Sequence, residues 1–189
     1  MTQLKDAYIV AATRTPIGKS GRGVFKNTRP DDLLVAVIQS ALKQVPSLDP
    51  AAIEDAIIGC AMPEGEQGMN VAKVAALLSG LPKTVAGATV NRFCAAGITA
   101  VSMAADRIRV GEADVMIAGG VESMSMVPMG GSKPSFNPKV VDLDENVGIA
   151  YGMGLTAEKV AQQWQVTREE QDAFAVESHR RAIAAQQAG

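Results

Sequence analysis

The sequence predicts an α/β fold in which a parallel sheet is covered by helices. Three short apolar runs have the length and composition of buried strands: Ala56–Gly59, Val85–Val90 and Asp114–Gly120. Helical patterns separate these runs, and parallel strands need such crossovers because the chain must return to the same end of the sheet. The alternation is therefore typical of the α/β class.

The chain is expected to begin with a strand at Ala7–Ala12, followed by a glycine-rich loop and a helix at Pro30–Gln44. Pro30 suits the first helical position, where its missing N–H group costs nothing. The two aspartates that follow complement the positive end of the helix dipole. Leucine, valine and isoleucine then recur at helical spacing and form one apolar stripe.

A second helix is predicted at Val71–Leu78, and its nearly uniform apolarity indicates burial on several sides. Asn70 is a candidate N-cap for this helix, because a side-chain oxygen at that position can accept a bond from the first turn. Gly80 and Pro82 are expected to end the helix.

A third helix is predicted at Ala95–Val110, with Gly111 just past its last turn. Cys94 directly precedes this helix and follows the strand that ends near Val90. Unpaired amides at a helix N-terminus carry partial positive charge, which stabilises a thiolate and a developing oxyanion. The small residues after Cys94 would let a substrate carbonyl approach the backbone. Cys94 is therefore a candidate nucleophile, and a small buried core cysteine is the alternative interpretation.

The last third of the chain departs from this pattern. The segment Ser125–Tyr151 has no clear periodicity, which predicts a long excursion from the core. After it, Thr167 and Glu170 form a capping box that opens a helix reaching to about Gln187.

Two motifs occur together around the candidate nucleophile: N-R-F-C-A-A-G at 91–97 and G-G-V-E-S-M-S at 119–125. A nucleophile-bearing N-R-x-C-x-x-G, followed at this spacing by G-G-x-E-S-M-S, resembles the thiolase family. The resemblance extends over essentially the whole chain, through A-A-T-R-T-P-I-G at 11–18, M-G-L-T-A-E at 153–158 and R-E-E-Q-D-A-F-A at 168–175.

The resemblance implies a thiolase-like fold with layered αβα architecture and a mixed sheet. Residues 1–121 would form the N-terminal thiolase core domain that carries the nucleophile, and residues 122–189 would begin the inserted loop domain. Thiolases are roughly twice as long as these 189 residues, so the chain is expected to match the N-terminal half of the family, without the C-terminal domain.

The activity implied by the resemblance is acyl transfer. A thiolase cleaves 3-ketoacyl-CoA with CoA to give acetyl-CoA and a shortened acyl-CoA, or runs the reverse Claisen condensation. Cys94 would carry the acyl group, and Met153 would line the substrate pocket. The family's activating histidine, second cysteine and water-holding asparagine come from the half that is absent here. CoA is a substrate, and the resemblance implies no separate cofactor and no metal.

One departure bears on the subtype. Acetoacetyl-specific biosynthetic thiolases tend to carry a histidine just before the methionine that matches Met153, and this chain has Gly152 there. The difference favours a degradative 3-ketoacyl-CoA thiolase of fatty acid beta-oxidation.

Two other interpretations stay open. A ketoacyl-synthase-like condensing enzyme also uses a cysteine at this turn, but its flanking residues differ and it lacks the Glu122-Ser123-Met124 turn. The chain could also be an inactive truncated fragment, or a half-protein that acts only through association.

Of the other reactive residues, Cys60 ends a buried strand and is expected to be inert, and His179 is expected to face solvent on a polar helix.

Composition and family resemblance together define the expected partners. The chain has 47% hydrophobic residues and a formal net charge of −2. This composition suggests neither a surface that binds nucleic acid nor an anchor to an anionic membrane. No signal-peptide pattern opens the sequence, so a cytoplasmic location is expected. The partners would be CoA thioesters and further copies of the chain. Thiolases pair subunits through the strand leading to the nucleophile, here Val85–Asn91, which implies a homodimer or homotetramer.

Overall fold

The structure is a computed structural model that describes residues 4–140, 142, 148 and 151–189. The chain forms two compact units, Met1–Pro134 and Ser135–Gly189. The domain division predicted from the family, 1–121 and 122–189, stays a prediction.

The first unit is organised around a parallel sheet of three strands, β1 (Asp55–Gly59), β2 (Ala86–Val90) and β3 (Met116–Gly120). β1 lies in the centre, in the order β2-β1-β3, and Ile57 is in register with Ala88 on one side and Ala118 on the other. The parallel sheet confirms the predicted α/β class. The antiparallel pairing of a mixed sheet does not occur among the described strands.

Helices cover the two faces of this sheet. Helix α1 (Pro30–Gln44) and helix α2 (Val71–Leu78) pack on the face that carries Ile58, and α3 (Ala96–Arg109) packs on the face that carries Ile57. Because successive side chains of a strand point to opposite faces, β1 contributes to both apolar clusters and is buried throughout. The layered αβα arrangement expected from the sequence is therefore present.

The helix predictions hold to within a residue at each end. α1 and α2 have the predicted bounds, and α3 begins and ends one residue inside the predicted range. Gly80 and Gly111 follow α2 and α3 with φ of +87° and +77°. Such left-handed φ values favour glycine because it lacks Cβ, which explains why both helices stop there.

The predicted strand at Ala7–Ala12 is wrong. This segment belongs to no strand and has no ladder partner among the described residues. Its ends are held by other groups, since Lys5 N–H donates to Arg109 O at 2.9 Å and Ala12 N–H donates to Gln44 Oε1 at 3.2 Å. The side chains of Tyr8, Ile9 and Val10 are exposed. A strand-like pattern forms a strand only where a neighbour receives its backbone hydrogen bonds.

The predicted cap of α2 is also wrong in its chemistry. Asn70 occupies the N-cap position, but its side chain does not bond to the first turn of the helix. It donates to Gly87 O at 2.8 Å and accepts from Thr89 Oγ1 at 2.9 Å. Asn70 therefore joins α2 to strand β2, and the first-turn N–H of Ala72 donates to Thr89 Oγ1 instead.

The described part of the second unit contains two α-helices, α4 (Met153–Trp164) and α5 (Arg168–Ala188). The predicted capping box of α5 is confirmed: Glu170 N–H donates to Thr167 Oγ1, and Thr167 N–H donates to Glu170 Oε2.

The excursion predicted for Ser125–Tyr151 lies partly outside the described residues. Short 3-10 helices occur at Pro50–Ala52, Gly65–Gln67 and Pro138–Val140. None of the helices in the described ranges is both long and apolar enough to cross a membrane.

Candidate active site

The carboxyl ends of the three strands meet at one edge of the sheet, and each is followed by residues with reactive or polar side chains. Cys60 follows β1, the loop 91–95 follows β2, and Glu122 follows β3. In open parallel sheets, ligands bind outside this edge. Cys94 lies here, immediately before α3, as the sequence predicts.

Cys94 sits on a tight turn with a strained residue before it. Phe93 has a φ of +46°, a left-handed conformation that costs a non-glycine residue about 1 kcal/mol or more. Three hydrogen bonds hold the turn: Phe93 N–H donates to Asn91 Oδ1 at 2.8 Å, Ala95 N–H donates to Arg92 O at 3.0 Å, and Ala96 N–H donates to Phe93 O at 2.9 Å. The Cys94 side chain is exposed. The turn therefore presents the thiol to solvent at a defined place.

Helix α3 supplies the electrostatic surroundings of the thiol. Ala95 occupies the N-cap position and has no side-chain acceptor for the first-turn amides. The N-terminal amides of a helix carry partial positive charge and can bind a developing oxyanion. A cysteine at this point is suited to attack a carbonyl carbon whose oxygen becomes negative.

Glycines bring α3 close to the sheet on one side and leave the site open on the other. A Cβ on Gly59 would lie 2.3 Å from Ala96 C and 2.5 Å from Gly97 N, so only glycine fits at the end of β1. A Cβ on Gly97 would meet no atom within 4 Å. The start of α3 is therefore packed against β1, while the open side of Gly97 leaves room for a ligand.

Cys60 differs from Cys94 in exposure, and its burial changes its own pKa. Its side chain is 1% exposed. Burial, and secondarily the charge of Glu122, raise the pKa of Cys60 to about 11, although a backbone hydrogen bond from Met62 lowers it slightly. A thiol with this pKa holds its proton at neutral pH and is a poor nucleophile. The surroundings agree with the predicted inert role of Cys60.

Two polar residues at this edge were not predicted as site residues, although Glu122 belongs to the G-G-V-E-S-M-S motif. Glu122 accepts from Ala61 N–H at 2.6 Å and from the side-chain amide of Gln67. Gln67 is fully buried, donates to Met62 O at 2.8 Å and accepts from Ser123 N–H at 3.0 Å. In the sequence, the one sign of a role for Gln67 is a polar amide among Met, Glu and Gly residues. The structure buries this amide, and a buried polar group needs partners.

A cleft of about 290 Å³ lies beside the Glu122 turn. It is lined by the loop that precedes α1 and by the G-G-V-E-S-M-S segment, through 15–20, Phe25, Leu33 and 122–125. Gly21 N–H donates to Ser125 Oγ at 2.9 Å and joins the two segments. Among the described residues, no group of three or more His, Cys, Asp and Glu is gathered to hold a metal ion.

The other predicted residues belong to the second unit. Met153 is the first residue of α4 and is 65% exposed. Its role in lining a pocket stays a prediction. His179 lies on α5 and is exposed, as expected for a solvent-facing residue.

Comparison with solved structures and curated sequences places the chain among known proteins. The crystal structure of the Bacillus anthracis acetyl-CoA acetyltransferase superimposes with a TM-score of 0.82 at 35% identity, covering 100% of this chain and 50% of that one. A thiolase from Ascaris suum in complex with coenzyme A gives a TM-score of 0.80 at 32% identity, covering 98% and 50%.

Curated sequences give the same result. The 3-ketoacyl-CoA thiolase of Bacillus subtilis is 44% identical over 182 residues, which are 96% of this chain and 46% of that protein. That of Shewanella oneidensis is 47% identical over 183 residues, again 96% and 46%. The chain thus spans about half the length of the curated relatives it matches. A family profile described as "Thiolase, N-terminal domain" matches residues 7–189, and the chain therefore belongs to the thiolase family.

Proposed function

We propose that this chain provides the nucleophilic half of an acyltransferase that acts on 3-ketoacyl-CoA. The observation that carries the proposal is the position of Cys94, which is exposed on a strained turn at the start of α3 within the family motif. The names of the relatives support the same chemistry, because two of them are 3-ketoacyl-CoA thiolases.

The proposed reaction uses Cys94 as a covalent carrier. Its thiolate attacks the 3-keto carbon of the substrate, and the C2–C3 bond breaks with its electron pair leaving on C2 as the acetyl-CoA enolate. The enolate takes a proton, and the acyl group stays on sulfur as a thioester. The thiolate of a second CoA then attacks this thioester, releases the shortened acyl-CoA and returns the Cys94 thiolate. The N-terminal amides of α3 would stabilise the oxyanion formed in each attack.

Proton transfer in the proposed reaction needs a histidine that activates the nucleophile and a second cysteine that acts as acid and base. Residues 1–134 contain no histidine. The sole histidine of the 189 residues is His179, which is exposed on α5. We expect the activating histidine and the second cysteine to come from the half of the family fold that these residues do not cover. Residues 1–189 alone are accordingly expected to show no turnover of 3-ketoacyl-CoA.

Further parts of the proposal rest on the sequence. Gly152 favours a degradative role in fatty acid beta-oxidation. A cytoplasmic location is also proposed, because the two cysteines have neither a disulfide framework nor a metal-ligand spacing and so fit a reducing compartment. Met153 would line the acyl pocket. CoA enters as a substrate, and the proposed mechanism uses no separate cofactor.

We also propose that two copies of the chain associate through β2. This strand is at one edge of the described sheet. Ala86 and Val90 bond to the β1 side, at Glu54 O and Cys60 N, so Gly87 and Thr89 turn their backbone groups away from β1. Two outward carbonyls are already occupied: Gly87 O accepts from Asn70, and Val85 O accepts from Lys73. Pairing is therefore expected at the Thr89 end, next to the Cys94 turn.

Light scattering at micromolar concentration tests this association, with a dimer of the 19.7 kDa chain expected. Thr89→Pro removes an outward N–H group and should dissociate the dimer without breaking the bonds to β1. Thr89→Val is the control, since it removes only the hydroxyl group that bonds to Asn70. A monodisperse folded monomer of the unaltered chain would contradict pairing through β2.

The proposed activity is tested in a chimeric protein that joins these 189 residues to the second half of the Bacillus subtilis 3-ketoacyl-CoA thiolase. We expect CoA-dependent cleavage of a 3-ketoacyl-CoA, lowered by about a thousandfold or more by Cys94→Ala. Cys60→Ala is the matched control and should change the rate by no more than a few fold. Mass spectrometry should find the acyl adduct on the peptide that contains Cys94. Cleavage that survives Cys94→Ala would overturn the proposal.

A further inference from the structure

We infer that Asn91 and Glu122 are positioning residues for Cys94, and that they act through a hydrogen-bonded connection across the carboxyl edge of the sheet. This edge network consists of Asn91, the backbone N–H and C=O of Ala61, Glu122 and Gln67. The inference deepens the proposed function and rests on it for the role of Cys94, but the connection itself follows from the contacts of the described residues.

The first link joins the Cys94 turn to the loop after β1. Asn91 accepts from Phe93 N–H at 2.8 Å and donates through its Nδ2 to Ala61 O at 3.0 Å. A single side chain thus holds the left-handed Phe93 and anchors it to a neighbouring strand end. Because Phe93 directly precedes Cys94, the Asn91 side chain sets where the turn carries the thiol.

The second link joins the loop after β1 to the turn after β3. Ala61, whose C=O accepts from Asn91, donates its own N–H to Glu122 Oε2 at 2.6 Å. Bonds to a carboxylate are stronger than bonds between neutral groups. The backbone of Ala61 is therefore held at its N–H and at its C=O, one from the β3 side and one from the β2 side.

The third link fixes the carboxylate. Gln67 is fully buried, and its amide nitrogen donates to Glu122 Oε1 and to Met62 O. Its Oε1 accepts from Ser123 N–H at 3.0 Å. Both polar atoms of the Gln67 side chain have partners, so the side chain has one orientation and holds Glu122 in one orientation. The edge network therefore connects all three strand ends to the residue before Cys94.

Such positioning has a large kinetic value. A displacement of about 1 Å at a reacting group can cost about a hundredfold in rate. Asn91 and Glu122 do not need to contact a substrate to have this effect, because they determine the conformation of the turn. Their loss should lower kcat and leave substrate binding nearly unchanged.

Hydrogen exchange of the 189-residue chain tests the connection without any assay of activity. Asn91→Ala should accelerate exchange of the Phe93 amide by about tenfold or more, because its acceptor is gone. Glu122→Gln should also accelerate it through the network, since glutamine has one oxygen in place of the two carboxylate oxygens that accept from Ala61 N–H and from Gln67. The Ser79 amide, bonded within α2, is the internal control and should not change.

Asn70→Ala is the matched control variant, because Asn70 also joins two segments through both atoms of its amide but lies outside the edge network. It should leave the Phe93 amide unaffected. Asn91→Asp keeps the acceptor for Phe93 N–H and loses the donor to Ala61 O, so the connection predicts exchange closer to Asn91→Ala than to the unaltered chain. Exchange at the unaltered rate in Asn91→Asp or Glu122→Gln would overturn the connection.

The chimeric protein then tests the role in catalysis. Asn91→Ala and Glu122→Gln should each lower kcat by about tenfold or more and change KM by less than about threefold. Asn70→Ala should leave both constants within about threefold. Equal effects of Asn91→Ala and Asn70→Ala on kcat would overturn the positioning role. Failure of Cys94→Ala to abolish cleavage would instead overturn the proposed function and would leave the exchange result standing.

Discussion

Cys60 and Cys94 follow neighbouring strands at the same edge of one sheet, and their surroundings are opposite. Cys60 comes directly after β1, the central strand, and is covered by α1 and α2. Cys94 comes four residues after β2, an edge strand, on a turn that lifts it away from the core. Both thiols lie at the same edge of the sheet, so this location alone does not decide whether a thiol is exposed. In this pair, the buried thiol directly follows its strand, and the accessible thiol is four residues beyond its strand.

The same comparison explains how the fold uses strain. The chain from Gly59 to Cys60 continues the strand direction and needs no unusual backbone. The chain from Asn91 to Cys94 passes through a left-handed Phe93, and three hydrogen bonds hold this turn. Strain of this kind persists only where the surroundings determine it, and it is frequent at functional sites.

The largest expected difference is in alkylation by iodoacetamide near pH 8. A rise in the Cys60 pKa from 9.0 to about 11 makes its thiolate about a hundredfold scarcer than that of an ordinary thiol, and burial slows the reaction further. Peptide mapping of the folded chain should find the label on Cys94 and almost none on Cys60.

Denaturant provides the control for this measurement, because both cysteines should react once the chain is unfolded. Cys60→Ala should leave labelling of the folded chain unchanged, and Cys94→Ala should nearly abolish it. Comparable labelling of Cys60 and Cys94 in the folded chain would remove the contrast between them.

A pair of glycine substitutions tests the packing on the two sides of the site. Gly59→Ala places a Cβ 2.3 Å from the backbone of Ala96, so α3 must shift, and we expect the free energy of unfolding to fall by about 3 kcal/mol. Gly97→Ala meets no atom within 4 Å and should raise it by about 0.5 kcal/mol through helix propensity. Urea unfolding measures both.

In the chimeric protein, the activity of Gly97→Ala should not follow its stability. The added methyl group fills the open side at the start of α3, so activity should fall although the free energy of unfolding does not. If Gly59→Ala were as stable as the unaltered chain, the close approach of β1 and α3 would not be a real constraint.

A smaller effect is expected in the pH dependence of stability. The folded chain holds the Cys60 proton more tightly than the unfolded chain, because its pKa is raised to about 11. The stabilisation is complete below about pH 9 and is lost as pH rises towards 11, at up to about 2 to 3 kcal/mol. Thermal or urea unfolding from pH 8 to 11 measures this loss.

Cys60→Ala separates the thiol from the lysines and tyrosines that titrate in the same range. The difference in unfolding free energy between Cys60→Ala and the unaltered chain should change with pH between about 9 and 11. Parallel curves for the two proteins would mean that Cys60 ionises equally in the folded and unfolded chains.

Local patterns account for what could be predicted. The stripe of apolar residues after Pro30 and the stop at Gly80 depend on neighbours within a few positions, so the bounds of α1 and α2 follow from the sequence. The placement of Cys94 before α3 follows from the same kind of pattern. The strand at Ala7–Ala12 fails because a strand depends on a partner that its own residues do not specify.

The amino-acid order by itself determined the α/β class, the helices, and the position of a cysteine at a helix start, since these depend on short-range periodicity and turn chemistry. Only the tertiary structure decided which thiol is accessible and which polar residues support it. Gln67, Asn91 and Glu122 lie far apart in sequence, and their hydrogen bonds exist because three parallel strands end side by side. The supporting network is a property of that juxtaposition, which the order of residues along the chain does not display.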